Sequence, residues 1–157
     1  MVMETSIDIR RATPADVLLI SALATVTFYE AYFEQDTPED MAKYLAEAFS
    51  EKQIAEEMAD DDSAFFIALR NGKAVGYAKL ISNSTTDGVT GTNPIELKRI
   101  YLVERCWGTG VGERLLQHCE SYGRGLGHNV IWLGVWQENE RGQSFYRKHG
   151  YGKVGTV

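Results

Sequence analysis

The residues best equipped for chemistry lie in the stretch Cys106-Trp107-Gly108-Thr109-Gly110-Val111-Gly112. Three glycines alternate with other residues, an apolar segment precedes them, and an amphipathic one follows. Lacking Cβ, a glycine lets the backbone turn tightly and approach a ligand. The first amides of a helix have no partner within it and sit at the positive end of its dipole. Glycines that open a helix therefore suit a phosphate, although the same residues also make a plain tight loop. Two common owners of such a phosphate fail on spacing. A dinucleotide fingerprint needs Gly-x-Gly-x-x-Gly. Counting from Gly108 or Gly110 puts Glu113 or Leu115 at the third glycine. A P-loop needs Gly-x-x-x-x-Gly-Lys-Ser/Thr, and from Gly108 that frame lands on Glu113 with no lysine after it.

Carboxylates are the second resource. Residues 30–62 hold twelve acids (Glu30, Glu34, Asp36, Glu39, Asp40, Glu47, Glu51, Glu56, Glu57, Asp60, Asp61, Asp62) against Lys43 and Lys52, a window of −10 within a chain of −6. Such a run is either a solvated helical face or a rim that attracts a cationic substrate. The negative total argues against nucleic acid as a main partner. Cys106 and Cys119 have no metal-ligand spacing and no disulfide framework. With His118, His128 and His149 scattered, no metal is expected, and the thiols read as reduced and cytoplasmic.

Elements must hold these groups in place. A chain of 157 residues suits one domain, residues 1–157, with a proper core. No apolar run approaches the roughly 20 residues of a membrane span, and the N-terminus lacks a signal-peptide layout, so no membrane partner is expected. Residues 5–11 read as a strand. Thr13-Pro14-Ala15-Asp16 starts a helix to about Tyr32, and Thr37-Pro38-Glu39-Asp40 starts a second. Ser50 and Gln53 form a capping-box pattern for a third, to about Met58. Ala64–Arg70 and Lys73–Ile81 flank Asn71-Gly72, which fits a type I′ hairpin. A polar loop over 82–94 leads to a strand at Ile95–Val103, then to the glycines. The helix beyond them carries the stripe Val111, Leu115, Leu116, Cys119 and Tyr122. Val130–Trp136 is a strand, Asn139 caps a helix through Lys148, and Gly150–Val157 starts one more strand. The order, βαα(α)βββαβαβ, is that of a mixed α/β sheet in one domain.

In that order the glycine loop resembles the acetyl-CoA signature of the GNAT N-acetyltransferase superfamily, Gln/Arg-x-x-Gly-x-Gly/Ala, with Gly110 and Gly112 at the motif glycines. Asn139 followed by Phe145-Tyr146-Arg147-Lys148-His149-Gly150-Tyr151 resembles the superfamily's second segment, Asn…Phe-Tyr-x-Lys-x-Gly-Phe. The resemblance covers residues 5 to 157. Glu96–Tyr101, Ile131–Trp136, Thr27–Glu30, Glu39-Asp40 and Tyr44-Leu45 are closer still to the PaiA-like spermidine/spermine acetyltransferases. Trp107 departs from the motif's Gln or Arg, and the backbone cradle does not depend on it. Trp107→Arg is therefore expected to leave cofactor affinity equal or better.

The resemblance implies the GNAT fold, α/β (α+β), with a mixed six- to seven-stranded sheet flanked by helices. Its final strand is absent here. Either the chain is truncated, or something else covers that edge, and an open edge invites pairing into a homodimer. The implied activity is transfer of the acetyl group of acetyl-CoA to a primary amine, a polyamine such as spermidine or spermine, by direct attack in a ternary complex. The implied cofactor contacts are Ile100, Tyr101, Leu102, Trp107, Gly108, Thr109, Gly110, Val111, Gly112, Glu113, Asn139 and Tyr146. Tyr146 is the candidate acid for the departing thiolate, since a thiol near 8.5 and a phenol near 10 are matched for that exchange. Glu96 and Glu30 are candidate bases for the acceptor ammonium, and Glu30 with Glu34 could face the amine. A protein N-terminus, a toxin or antibiotic amine, and a non-catalytic acyl-CoA sensor remain alternatives.

Overall fold

The computed structural model describes residues 1–156. Five strands form one sheet in the order β1 (Ile7–Arg11), β2 (Ser63–Arg70), β3 (Lys73–Ser82), β4 (Pro94–Leu102), β5 (Val130–Trp132). The first four are antiparallel neighbours, and β5 runs parallel to β4. Helices α1 (Val17–Tyr32), α2 (Pro38–Ala48) and α3 (Glu51–Met58) precede the hairpin, while α4 (Val111–Gly125) and α5 (Glu140–Lys148) follow β4 and β5.

Local chemistry sets the ends of most elements. Asn71 and Gly72 take φ of 51° and 78°, as a type I′ turn requires. The hydroxyls of Thr37 and Ser50 accept from the Asp40 and Gln53 amides and so start α2 and α3. Thr13 and Asp16 form a capping box around a 3-10 turn, Pro14–Asp16, that leads into α1. Hydrogen bonds from the Arg10 guanidinium, and then from the Thr13 amide, hold the Asp16 carboxyl down at about 2.

Alternation along β2 divides the core between two layers. Ala64, Phe66 and Ala68 join Val111, Leu115, Leu116 and Cys119 of α4 on one face. Phe65 and Ile67 join Ile20, Leu23 and Ala24 of α1 and Ile54 of α3 on the other. Pro14–Tyr32 is long and apolar enough to cross a membrane by length and composition, which corrects the expectation that no run approached that length. In the fold it covers the sheet, burying Ile20, Leu23, Ala24 and Thr27.

Two strand expectations are also corrected. The strand expected over 130–136 ends at Trp132, because β5 pairs with β4 only through Pro94–Glu96. The expected strand at 150–157 is irregular through Thr156, and Val157 lies outside the described residues. This segment turns to the loop before β4. A Cβ on Gly88, at φ +90°, would stand 2.9 Å from the Val154 carbonyl, a close approach that glycine permits. The fold class is as expected, with five strands among the described residues rather than six or seven.

Candidate functional site

The site is built by the loss of pairing between β4 and β5. Lys79 faces Arg99 but the next residue, Leu80, faces Leu97, so Lys98 is an extra residue in β4. Such a bulge bends a strand and re-aims its side chains. Beyond Glu96 and Trp132 the two strands are no longer paired. The Val103 amide donates to the Val75 carbonyl. By the alternation of an antiparallel ladder, Arg99 and Tyr101 then hydrogen-bond toward β3. Ile100 and Leu102 turn their backbone groups the other way, into the gap. Gly76, opposite Leu102, permits the close approach of these strands, since its Cβ would lie 2.6 Å from the Tyr101 carbonyl oxygen.

The gap widens into a cavity of about 960 Å³. The glycine loop forms one wall. Gly108 and Gly110 have φ of +73° and +91°, and a Cβ on either would project into open space. The first helical bond of α4 runs from the Arg114 amide to the Gly110 carbonyl. The amides of Val111, Gly112 and Glu113 are thus left without helical partners, at the positive end of the dipole. Thr109 turns its hydroxyl onto the Cys106 carbonyl at 2.6 Å, and the Val111 side chain is fully buried. Neither residue, though expected at the site, lines the cavity.

The opposite wall is α5. The Asn139 side chain caps it by accepting from the Gly142 amide at 2.9 Å. Tyr146 lines the cavity, and its hydroxyl makes no hydrogen bond to any described residue. Burial pushes the Tyr146 phenol up, so it stays protonated throughout the physiological range. The third wall is the end of α1, where Tyr32 and Tyr101 bring their hydroxyls to 3.5 Å of each other. Gln35, Lys98, Arg99 and Trp136 also line the cavity.

Of the residues expected at the site, Ile100, Tyr101, Leu102, Trp107, Gly108, Gly110, Gly112, Glu113, Asn139 and Tyr146 share this cavity. The three carboxylates lie elsewhere. Glu30 accepts from the Glu104 amide at 3.1 Å and so braces the turn that leads into the glycines. Glu96 accepts from Ser84 at 2.8 Å and lies 3.9 Å from Lys98. Glu34 is exposed and does not line the cavity. Glu57, one acid of the −10 window, is instead drawn inward. It receives Lys79 at 2.8 Å, Arg99 at 2.7 and 3.2 Å, and Gln53 at 3.1 Å. Burial alone would raise its carboxyl, and these donors outweigh burial and hold it at about 2. Tyr32, Gln35 and Arg141 are cavity residues that the motifs did not indicate.

A glycine loop with free helix-start amides, an open strand edge and a buried phenol meet in one cleft. The sequence profile described as "Acetyltransferase (GNAT) family" matches residues 25–151. The chain belongs to the GNAT acetyltransferase family. An uncharacterized N-acetyltransferase of Lactobacillus delbrueckii subsp. lactis is 32% identical over 146 residues, covering 93% of this chain and 84% of that protein. An uncharacterized N-acetyltransferase of Mycobacterium bovis is 34% identical over 144 residues, covering 92% and 86%. The fold is that of the PaiA N-acetyltransferase of Thermoplasma acidophilum, solved with coenzyme A, at TM-score 0.83, 23% identity, 97% of this chain and 93% of that one. It is also that of aminoglycoside N-acetyltransferase AAC(6')-Iy, likewise solved with CoA, at TM-score 0.77, 18% identity, 100% and 95%.

Acetyl-CoA is the GNAT family's cosubstrate, and this GNAT chain has the features to take it. Free amides and absent Cβ atoms suit the pyrophosphate. The outward backbone groups of Ile100 can pair with the amides of a pantetheine arm, as can the Leu102 N–H. The Leu102 carbonyl is already taken by the Trp107 indole at 3.0 Å.

Proposed function

We propose that this acetyltransferase moves the acetyl group of acetyl-CoA directly to a primary amine in a ternary complex. The observation that supports this is the single cleft in which the amides of the glycine loop, the open edge of β4 and the Tyr146 hydroxyl all meet. In this reading the thioester lies at the widest part of the gap, where an outward amide of β4 polarises its carbonyl. Tyr146 meets the departing sulfur. Its phenol, raised by burial, is a weaker acid than an ordinary tyrosine, so it stabilises the thiolate chiefly as a hydrogen-bond donor and gives up its proton late. The amine enters past Tyr32, Gln35 and Tyr101. The acceptor ammonium does not lose its proton to Glu30, Glu34 or Glu96, none of which lines the cavity, whereas Glu113, Glu138, Glu140 and His149 do.

The acceptor we propose is a polyamine such as spermidine. Support comes from the surplus of carboxylates on α2, α3 and the adjoining loops, which acts at long range as an attracting field rather than as direct contacts. The test is thiol release with spermidine, spermine, aminoglycosides, amino acids and an N-terminal peptide as acceptors. Tyr146→Phe should lower kcat by about 100-fold or more, the range of one acid–base group being roughly 10²–10⁴-fold, while CoA affinity stays within twofold. Unchanged kcat would remove Tyr146 from the chemistry, and no turnover with any acceptor would favour a sensor.

A further inference from the structure

Trp107 occupies the position where the motif places Gln or Arg, and the structure gives that indole two tasks. Its Nε1–H donates to the Leu102 carbonyl at 3.0 Å, which ties the glycine loop to the end of β4. Its face carries a guanidinium: Arg141 Cζ lies 3.4 Å from the ring centroid, the separation of a flat stack. Arg141 stands in the first turn of α5, two residues past the cap Asn139. It forms no ion pair among the described residues. Both side chains line the same cavity as Gly108 and Gly110.

A guanidinium stacked by its face keeps its edge N–H groups free, and those are the groups that grip a phosphate bidentately. Stacking on indole is favourable by about 0.5–1 kcal/mol at exposed sites. It also removes in advance rotamer freedom that an arginine would otherwise lose on binding. We propose that Arg141, held flat on Trp107, is the side-chain cation of the pyrophosphate site, supplying from α5 the charge that the motif would place in the loop. This rests on the reading of the glycine loop as the CoA cradle. Trp107 is then a platform and Arg141 a further cofactor-binding residue.

Calorimetric titration of the full chain with CoA, 3′-dephospho-CoA and pantetheine tests both roles. Arg141 is exposed, so Arg141→Ala leaves the fold intact, which circular dichroism verifies. The variant is expected to weaken CoA and 3′-dephospho-CoA equally, by about tenfold or more for a lost charge-assisted bond, and to leave pantetheine unchanged. Arg141→Lys should recover only part of the loss. Trp107→Phe, which keeps a ring but loses the bond to Leu102, should retain the part of the affinity that stacking secures, and Trp107→Ala combined with Arg141→Ala should weaken CoA by less than the sum of the two single variants. An unchanged CoA Kd in Arg141→Ala would overturn the proposal. So would a loss confined to CoA and absent for 3′-dephospho-CoA, and fully additive losses would overturn the platform role. Failure of the unaltered protein to bind CoA would overturn the cradle itself, a result distinct from any of these.

Discussion

Glu57→Gln tests whether the wall that carries Arg99 is anchored as described. The Glu57 carboxyl is held at about 2 rather than near 4.5, which at 1.36 kcal/mol per pH unit is about 3 kcal/mol of stability. Its side chain is 12% exposed, and partial solvation reduces the figure to about 2 kcal/mol. The substitution also leaves Lys79 and Arg99 buried without a counter-charge, a situation that costs about 3–5 kcal/mol when a buried pair is broken. A loss of about 2–4 kcal/mol at pH 7 is therefore expected. With an m-value of about 2 kcal/mol/M, the urea midpoint should fall by about 1–2 M. The pH dependence has a definite sign. The carboxyl is depressed in the folded state, so its contribution is complete above about pH 4.5 and disappears as pH falls through about 2. Wild type should lose stability steeply over that window, whereas the Gln variant should show a shallower slope and approach wild type at the acid end. An equal urea midpoint at pH 7, or equally steep acid limbs, would refute the anchoring argument. Arg99 also stacks 5.3 Å over the Phe49 ring and lines the cavity beside Tyr101, on the entry path proposed for the amine, so the KM for the amine should rise more than that for acetyl-CoA.

Three further outcomes are expected. Gly76→Ala places a Cβ 2.6 Å from the Tyr101 carbonyl and against the Leu102 side chain; overpacking of that kind costs about 1–3 kcal/mol, read as a lower urea midpoint, with CoA affinity reduced because β4 must shift. Trp107→Arg removes the donor to Leu102 and sets two guanidiniums side by side, so calorimetry should show weaker CoA binding, reversing the equal-or-better affinity that the motif alone suggests. For spermidine, kcat/KM should fall as salt rises from about 0.05 to 0.3 M while an uncharged amine changes little; a flat profile for spermidine would remove the electrostatic support for a polyamine.

What could be read from the sequence is what neighbours in the chain decide. Asn71-Gly72, Thr37-Pro38 and Ser50 act on backbone within a few residues, and their hairpin and caps are found where they were expected. The turn of the glycine loop is equally local, since Gly108 and Gly110 carry its two positive φ values. The features that escaped depend on distant partners. Glu57 looks like one more acid on an amphipathic helix until folding brings it Lys79 and Arg99 from β3 and β4. Glu30 looks like a residue facing substrate until Glu104, at the far end of β4, offers its amide. Nothing near Trp107 in sequence announces Arg141. The tail at 150–156 is irregular where a strand is expected, because a strand exists only where a partner supplies a ladder.

The outward edge of β4 beyond Glu96 carries a further implication. Unpaired N–H and C=O groups along a strand normally recruit another polypeptide and invite aggregation. Here the glycine loop, α5 and the end of α1 wall that edge in. A slender chain bearing amides could pair with it there, so loading with cosubstrate would complete the sheet. The liganded protein should resist heat and self-association better than the bare one, with a gain that follows RT ln(1 + [L]/Kd). The cell's acyl-CoA pool would then bear on how long the folded protein lasts as well as on how fast it turns over.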